Sequence, residues 1–85
     1  MPKWMPIASR YKFMILVKIL KLKKDTLWYA NEIESIFLCY PRVGDVYIVF
    51  NTGKYIYVED CEPVSERNDN WFVSMITGKI HTIDT

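Results

Sequence analysis

The sequence predicts a small, mainly β domain: a meander or an SH3-like partly open barrel of about five to seven strands, with at most one short helix. Three observations carry this expectation. Short runs of β-branched and aromatic residues alternate with polar ones at a period of two, glycine-containing turns separate the runs, and one hairpin-like pattern occurs twice. An 85-residue chain has room for a single core. With 51% hydrophobic and 25% charged residues, the composition is that of a globular protein rather than a disordered one. A core this small supplies only about 3–5 kcal/mol by itself, so self-association, most simply as a homodimer, or burial against a partner is expected.

Residues 1–10 hold Pro2 and Pro6 and show no periodicity, which reads as an irregular N-terminal arm; residues 11–85 form the β domain. From residue 11 Phe13, Ile15 and Val17 alternate with Lys12, Met14, Leu16 and Lys18, and the phase then shifts to Leu20 and Leu22 against Lys21 and Lys23. One phase change in a period-2 pattern predicts a long bent strand with a β-bulge near Ile19 and Leu20. Residues 27–40 admit two readings. Tyr29, Ile33, Ile36, Phe37 and Tyr40 fall on a helical stripe, whereas residues 27–30 and 36–40 suit strands on either side of a single turn capped by Asn31. The second reading is favoured, and Pro41 ends either one.

Residues 46–58 read as a hairpin. A three-residue loop of Asn51, Thr52 and Gly53, with glycine in the left-handed position, pairs Phe50 with Lys54, Ile48 with Ile56 and Val46 with Val58. One face is then aliphatic, and the other carries Tyr47, Tyr55 and Tyr57. Residues 59–70 read as an acidic loop, with Glu59, Asp60, Glu62, Glu66 and Asp69 against the single Arg67. Beyond it, residues 71–83 repeat the pattern of 46–58 around a second Thr-Gly-Lys turn at Thr77, Gly78 and Lys79.

The apolar spacing of Met14 to Val17, the Leu27-Trp28-Tyr29-Ala30-Asn31 run, Ile33 and Ile36, Val46 to Phe50, the Gly53-Lys54 turn and Ile56 to Glu59 resemble the small FlbD-type family. The likeness covers residues 14–59. It implies a short β-rich protein with flagellar, swarming or phage-borne relatives and no catalytic or cofactor site. The arm before Met14 and the second hairpin depart from that pattern.

The chemical inventory is sparse. Cys39 and Cys61 lack the number and spacing of a disulfide framework or zinc site and read as buried thiols. His81 is the lone histidine and reads as a structural or exposed residue of a strand. Glu32 and Glu34 imitate paired carboxylates but read as solvated acids. Gly44, Gly53 and Gly78 are separate turn residues and build no phosphate loop. No catalytic residue, metal site or cofactor is assigned, and the chain is expected not to be an enzyme. The apolar run at residues 13–17 is cut by Lys18, far short of about 18 residues for a membrane span, and no cleavage site follows it. A cytoplasmic protein without membrane contact is expected.

Two surfaces remain. Tyr47, Tyr55 and Tyr57, extended by Trp71, form a candidate partner-binding face, since tyrosine and tryptophan dominate interface energetics. Lys18, Lys21, Lys23 and Lys24 form a candidate nucleic-acid contact, although lysines also protect sheet edges. All charged residues up to Lys24 are basic, yet a net charge of +1 and an isoelectric point near 7.7 differ from the strongly basic footprint of a dedicated nucleic-acid binder. The expected function is that of a small binding protein. In one form it is a phage or mobile-element accessory factor that inhibits a host defence protein or sequesters a small signal molecule; the alternative is a nucleic-acid-binding regulatory module.

Overall fold

The computed structural model describes residues 4–6, 13–66 and 70–82, and the chain is mainly β, as its sequence predicts, with small antiparallel sheets that form no closed barrel among the described residues. The strands are β1 (Trp4–Pro6), β2 (Ile15–Ile19), β3 (Ile36–Cys39), β4 (Val46–Ile48), β5 (Tyr55–Tyr57), β6 (Cys61–Val64), β7 (Trp71–Ser74) and β8 (Ile80–Thr82), with a 3-10 turn at Val58–Asp60 before β6. Three sheets have the orders β1-β7-β8, β3-β2-β6 and β4-β5. Among the described residues no helix is long and apolar enough to cross a membrane.

The central sheet is apolar on both faces, which is why Ile15 to Val17 and Ile36 to Cys39 are nearly unbroken hydrophobic runs. Val17, Ile19, Phe37 and Cys39 point to one core with Tyr29, Tyr47, Val49 and Ile56. Leu16 and Leu38 point the other way, against Val73 and Ile80 of the second hairpin. Strand β3 is the seam between the two hairpins. The Leu38 amide donates to Gly78 O at 2.9 Å while its carbonyl accepts from Phe50 N at 2.8 Å, and Asn51 Nδ2 donates to Met75 O at 2.7 Å between the hairpin turns.

The two hairpins share one register, so the repeat in the sequence is also a repeat in space. Val49 N donates to Lys54 O and Ser74 N to Lys79 O. In both, the threonine of Thr-Gly-Lys accepts from the lysine amide, at 3.0 Å for Thr52 and 3.3 Å for Thr77.

Several sequence expectations are corrected. Strand β2 ends at Ile19 because the amides of Leu20 and Lys21 both donate to the one carbonyl of Asp60, at 2.8 and 3.2 Å. Two residues facing one is a bulge-like pattern, and it closes the strand rather than bending a longer one. Residues 27–30 are turns, not a strand. Their bonds run three residues back, as from Ala30 N to Leu27 O and from Glu32 N to Tyr29 O. A continuous helix is excluded as well, since Glu34 takes φ +76° and Ile33 is exposed. Trp4–Pro6 is not irregular: it pairs antiparallel with β7, Trp4 opposite Ser74. The acidic segment is only partly a loop, because Cys61–Val64 pairs with β2, Ile19 opposite Cys61; Arg67 and Asp69 lie outside the described residues.

The first hairpin is slipped by one residue from the expected register: Val46 faces Tyr57, Tyr47 faces Ile56 and Ile48 faces Tyr55. Asn51 joins Gly53 at positive φ, +65° and +76°, so the turn spans more of the chain than a three-residue loop. A one-residue slip changes which residues share a face. Tyr47 and Ile56 turn inward and are buried, while Val46, Ile48, Tyr55 and Tyr57 lie on the outer face.

Candidate partner-binding surface

The outer face of β5 meets the turn that follows β2. Tyr29, fully buried, anchors that turn: its hydroxyl donates to Asp60 Oδ2 at 2.5 Å and accepts from the Tyr57 amide at 3.4 Å. With Tyr29 fixed, its neighbour Trp28 is directed to the surface beside β5. The Trp28 indole N–H donates to Tyr55 O at 2.6 Å, and its ring meets Phe37 edge-on at 5.3 Å and 82°. Tyr55 and Tyr57 meet edge-on at 5.5 Å and 83°. Trp28 thus grips the backbone of the strand whose Tyr55 and Tyr57 rings pair with each other.

Each end of this band carries an ammonium group. Lys54 Nζ lies 5.0 Å from the Trp28 ring centre, and Lys23 Nζ lies 4.9 Å from that of Tyr57. Lys23 also pairs with Glu59 at 2.6 Å, whose hydrogen bond and charge raise the lysine pKa. The Tyr55 hydroxyl is raised above its ordinary pKa, chiefly by hydrogen bonding to Tyr57, with Lys24 pulling the other way. A cavity of about 230 Å³ beside Tyr57 is lined by Lys23, Arg42, Asp45 and Glu59 among others, so charges of both signs border the rings.

Of the four residues assigned to the tyrosine face, only Tyr55 and Tyr57 lie together on it. Tyr47 is 7% exposed and belongs to the first core. Trp71 packs half-buried on the second core and lines a different cavity with Lys18 and Ile36. The lysine set divides too. Lys18 lies on β2, the middle strand of its sheet rather than an edge, and pairs with Glu34 at 3.2 Å. Lys21 and Lys24 are exposed in the turn after β2, and only Lys23 and Lys24 approach the tyrosines. Glu32 and Glu34 serve different lysines, Glu32 being paired with Lys79 at 3.1 Å.

Both thiols are free and buried. Burial pushes Cys61 up to about 11 and Cys39 further above its ordinary value, so each is protonated and poorly nucleophilic at neutral pH. Trp28 and Lys54 are the surface residues that sequence reasoning passed over. The signal was present in the adjacent Trp28-Tyr29 pair, two large rings side by side of which Tyr29 is buried and Trp28 is partly exposed.

No family model matches the sequence, and comparisons with curated proteins and with solved structures return no match.

Proposed function

We propose that the chain is a non-enzymatic binding protein and that Trp28, Tyr55 and Tyr57 are its contact surface for another protein, in the manner of a small accessory inhibitor. The observation that carries this reading is the preorganised aromatic cluster. Tyr55 is 44% exposed, yet its backbone and ring are held by Trp28 and Tyr57, so docking orders little that is not already ordered. Mixed charges at the rim, Lys23, Arg42, Asp45 and Glu59, suit a protein interface with an aromatic centre better than a phosphate backbone. A second reading is favoured by the Lys54–Trp28 and Lys23–Tyr57 pairs, which are arranged as a single-stranded nucleic acid would need them, a ring to stack on beside a cation for phosphate.

The test is retention of binding partners from a cell lysate by the wild-type chain and by the double variant Tyr55→Ser/Tyr57→Ser. Truncating interface anchors weakens binding by about tenfold or more, and both side chains lie outside the core. The expected result is a protein retained by wild type and lost by a folded variant. Equal retention by both removes this surface as the interface. Retention that vanishes on nuclease treatment, with a steep loss of affinity at higher salt, selects the second reading instead.

A further inference from the structure

On the other side of Trp28 the surface opens into a cleft of about 450 Å³, within the range of small-molecule sites, whose walls include Trp28, Glu32, Phe37, Lys54, Lys79 and His81. It is built from several separate parts of the chain. The turn after β2 supplies Trp28 and Glu32, β3 supplies Phe37, and the Thr-Gly-Lys turns of the two hairpins supply Lys54 and Lys79. The duplicated turn thus places the same residue, the lysine after glycine, at two points on one cleft. Phe37 is 1% exposed and forms the apolar back of the site, with Trp28 standing edge-on to it.

The electrostatics are biased to cations. Glu32 is the acid here, and it is held by Lys79, with Nζ at 3.1 and 3.3 Å from its two carboxylate oxygens. Lys54 has no carboxylate partner among the described residues and rests on the Trp28 ring. An exposed cation–π contact is weak enough for a bound ring to displace it, and the ammonium then remains within reach of the ligand's charge. Burial first, and then Lys79, hold the His81 pKa below its ordinary value, with Glu32 opposing them.

We propose that this cleft binds a small planar ring bearing an anionic group, a nucleoside monophosphate being the type, with the ring against Trp28 and the anion between Lys54 and Lys79. This goes beyond the protein-binding surface, with which it shares Trp28 and Lys54 but neither tyrosine. The probe is adenosine 5′-monophosphate, and His81, the single histidine of the chain, gives one imidazole C2–H resonance for proton NMR. Added nucleotide is expected to shift that resonance saturably and to raise the His81 pKa, because a nearby anion favours the imidazolium form. Inorganic phosphate and adenosine, tested separately, are expected to bind at least about tenfold more weakly than the nucleotide, since each keeps one of the two contacts. Lys54→Ala removes an exposed side chain and is expected to weaken nucleotide binding about fivefold or more, a loss of the size of one charge-assisted contact. The variant Tyr55→Ser/Tyr57→Ser is expected to bind the nucleotide as wild type does, which separates this site from the proposed protein interface. No saturable shift up to about 10 mM nucleotide, weaker than any specific small-molecule site, overturns the proposal. Phosphate or adenosine binding as tightly as the nucleotide, or an unchanged affinity in Lys54→Ala, overturns it equally.

Discussion

Asp60→Ala is expected to cost about 3–5 kcal/mol of folding stability, the loss seen when the partner of buried polar groups is removed. For a chain of this length total stability is about 4–13 kcal/mol, so the variant is expected to lose a large share of it. Asp60 is completely buried and joins three parts of the chain. Its carboxylate accepts from the Tyr29 hydroxyl and, at 3.0 Å, from the Lys23 amide; its carbonyl takes the amides of Leu20 and Lys21. Alanine keeps the carbonyl contacts, orphans the buried Tyr29 hydroxyl and leaves the part-buried Lys23 amide without its carboxylate partner. Tyr29→Phe leaves the carboxylate one acceptor contact and is expected to cost about 1–3 kcal/mol. The two changes share a partner, so their effects are expected to be non-additive by at least about 0.5 kcal/mol in a double-mutant cycle. Urea unfolding of the three variants measures this; a loss under about 1 kcal/mol for Asp60→Ala removes the Asp60 carboxylate as the group that holds Tyr29 and the turn after β2 in place.

Gly78→Ala is expected to be far more damaging than Gly53→Ala, although the two glycines occupy equivalent turns. Both have positive φ, +73° and +76°, so each substitution carries about 1 kcal/mol of backbone strain. A Cβ at Gly53 meets nothing within 4 Å, whereas one at Gly78 falls 2.5 Å from Val49 Cγ1 and 3.0 Å from Phe50 O. Val49 is fully buried and Phe50 O is backbone, so neither neighbour yields easily. Overpacking adds about 1–3 kcal/mol and pushes the second hairpin away from β3, where Leu38 bonds Gly78 O. Thermal melting of the two variants is expected to show a drop of about 10 °C or more for Gly78→Ala and about half that for Gly53→Ala. Equal drops contradict the packing of one turn on the other.

How much of this was legible in the sequence follows from where the determinants lie. The β class, the paired Thr-Gly-Lys turns and the buried cysteines depend on local pattern and composition, and the sequence carries them. The register of the first hairpin does not, because Asn51 at positive φ looks no different in sequence from Asn51 in an ordinary loop, and one residue decides which tyrosine is buried. Tyr29 and Trp28 were read as strand residues since both favour strands. What bends them into a turn is a bond to Asp60, distant in sequence, which composition presents as one acid in an acidic run. Trp4–Pro6 was hidden for a related reason: a three-residue strand containing proline has too few positions to show a period. Trp71 has the residue type of an interface anchor, and only the second core cluster shows what it packs on.

The placement of the binding surface depends on the register of β4 and β5, and thermal melting of Tyr47→Ala beside Tyr55→Ala tests it most directly. Tyr47 is 7% exposed and Tyr55 44%, although both are tyrosines of one hairpin. Truncating a buried aromatic residue costs about 3–5 kcal/mol, and in a domain of this size each kcal/mol lowers Tm by about 4–8 °C. The account predicts that Tyr47→Ala loses about 15 °C or more, or does not fold, while Tyr55→Ala melts within about 5 °C of wild type. If the two variants melt alike, Tyr47 and Tyr55 share a face, as they would with Val46 opposite Val58, and the surface formed by Trp28, Tyr55 and Tyr57 does not exist as described.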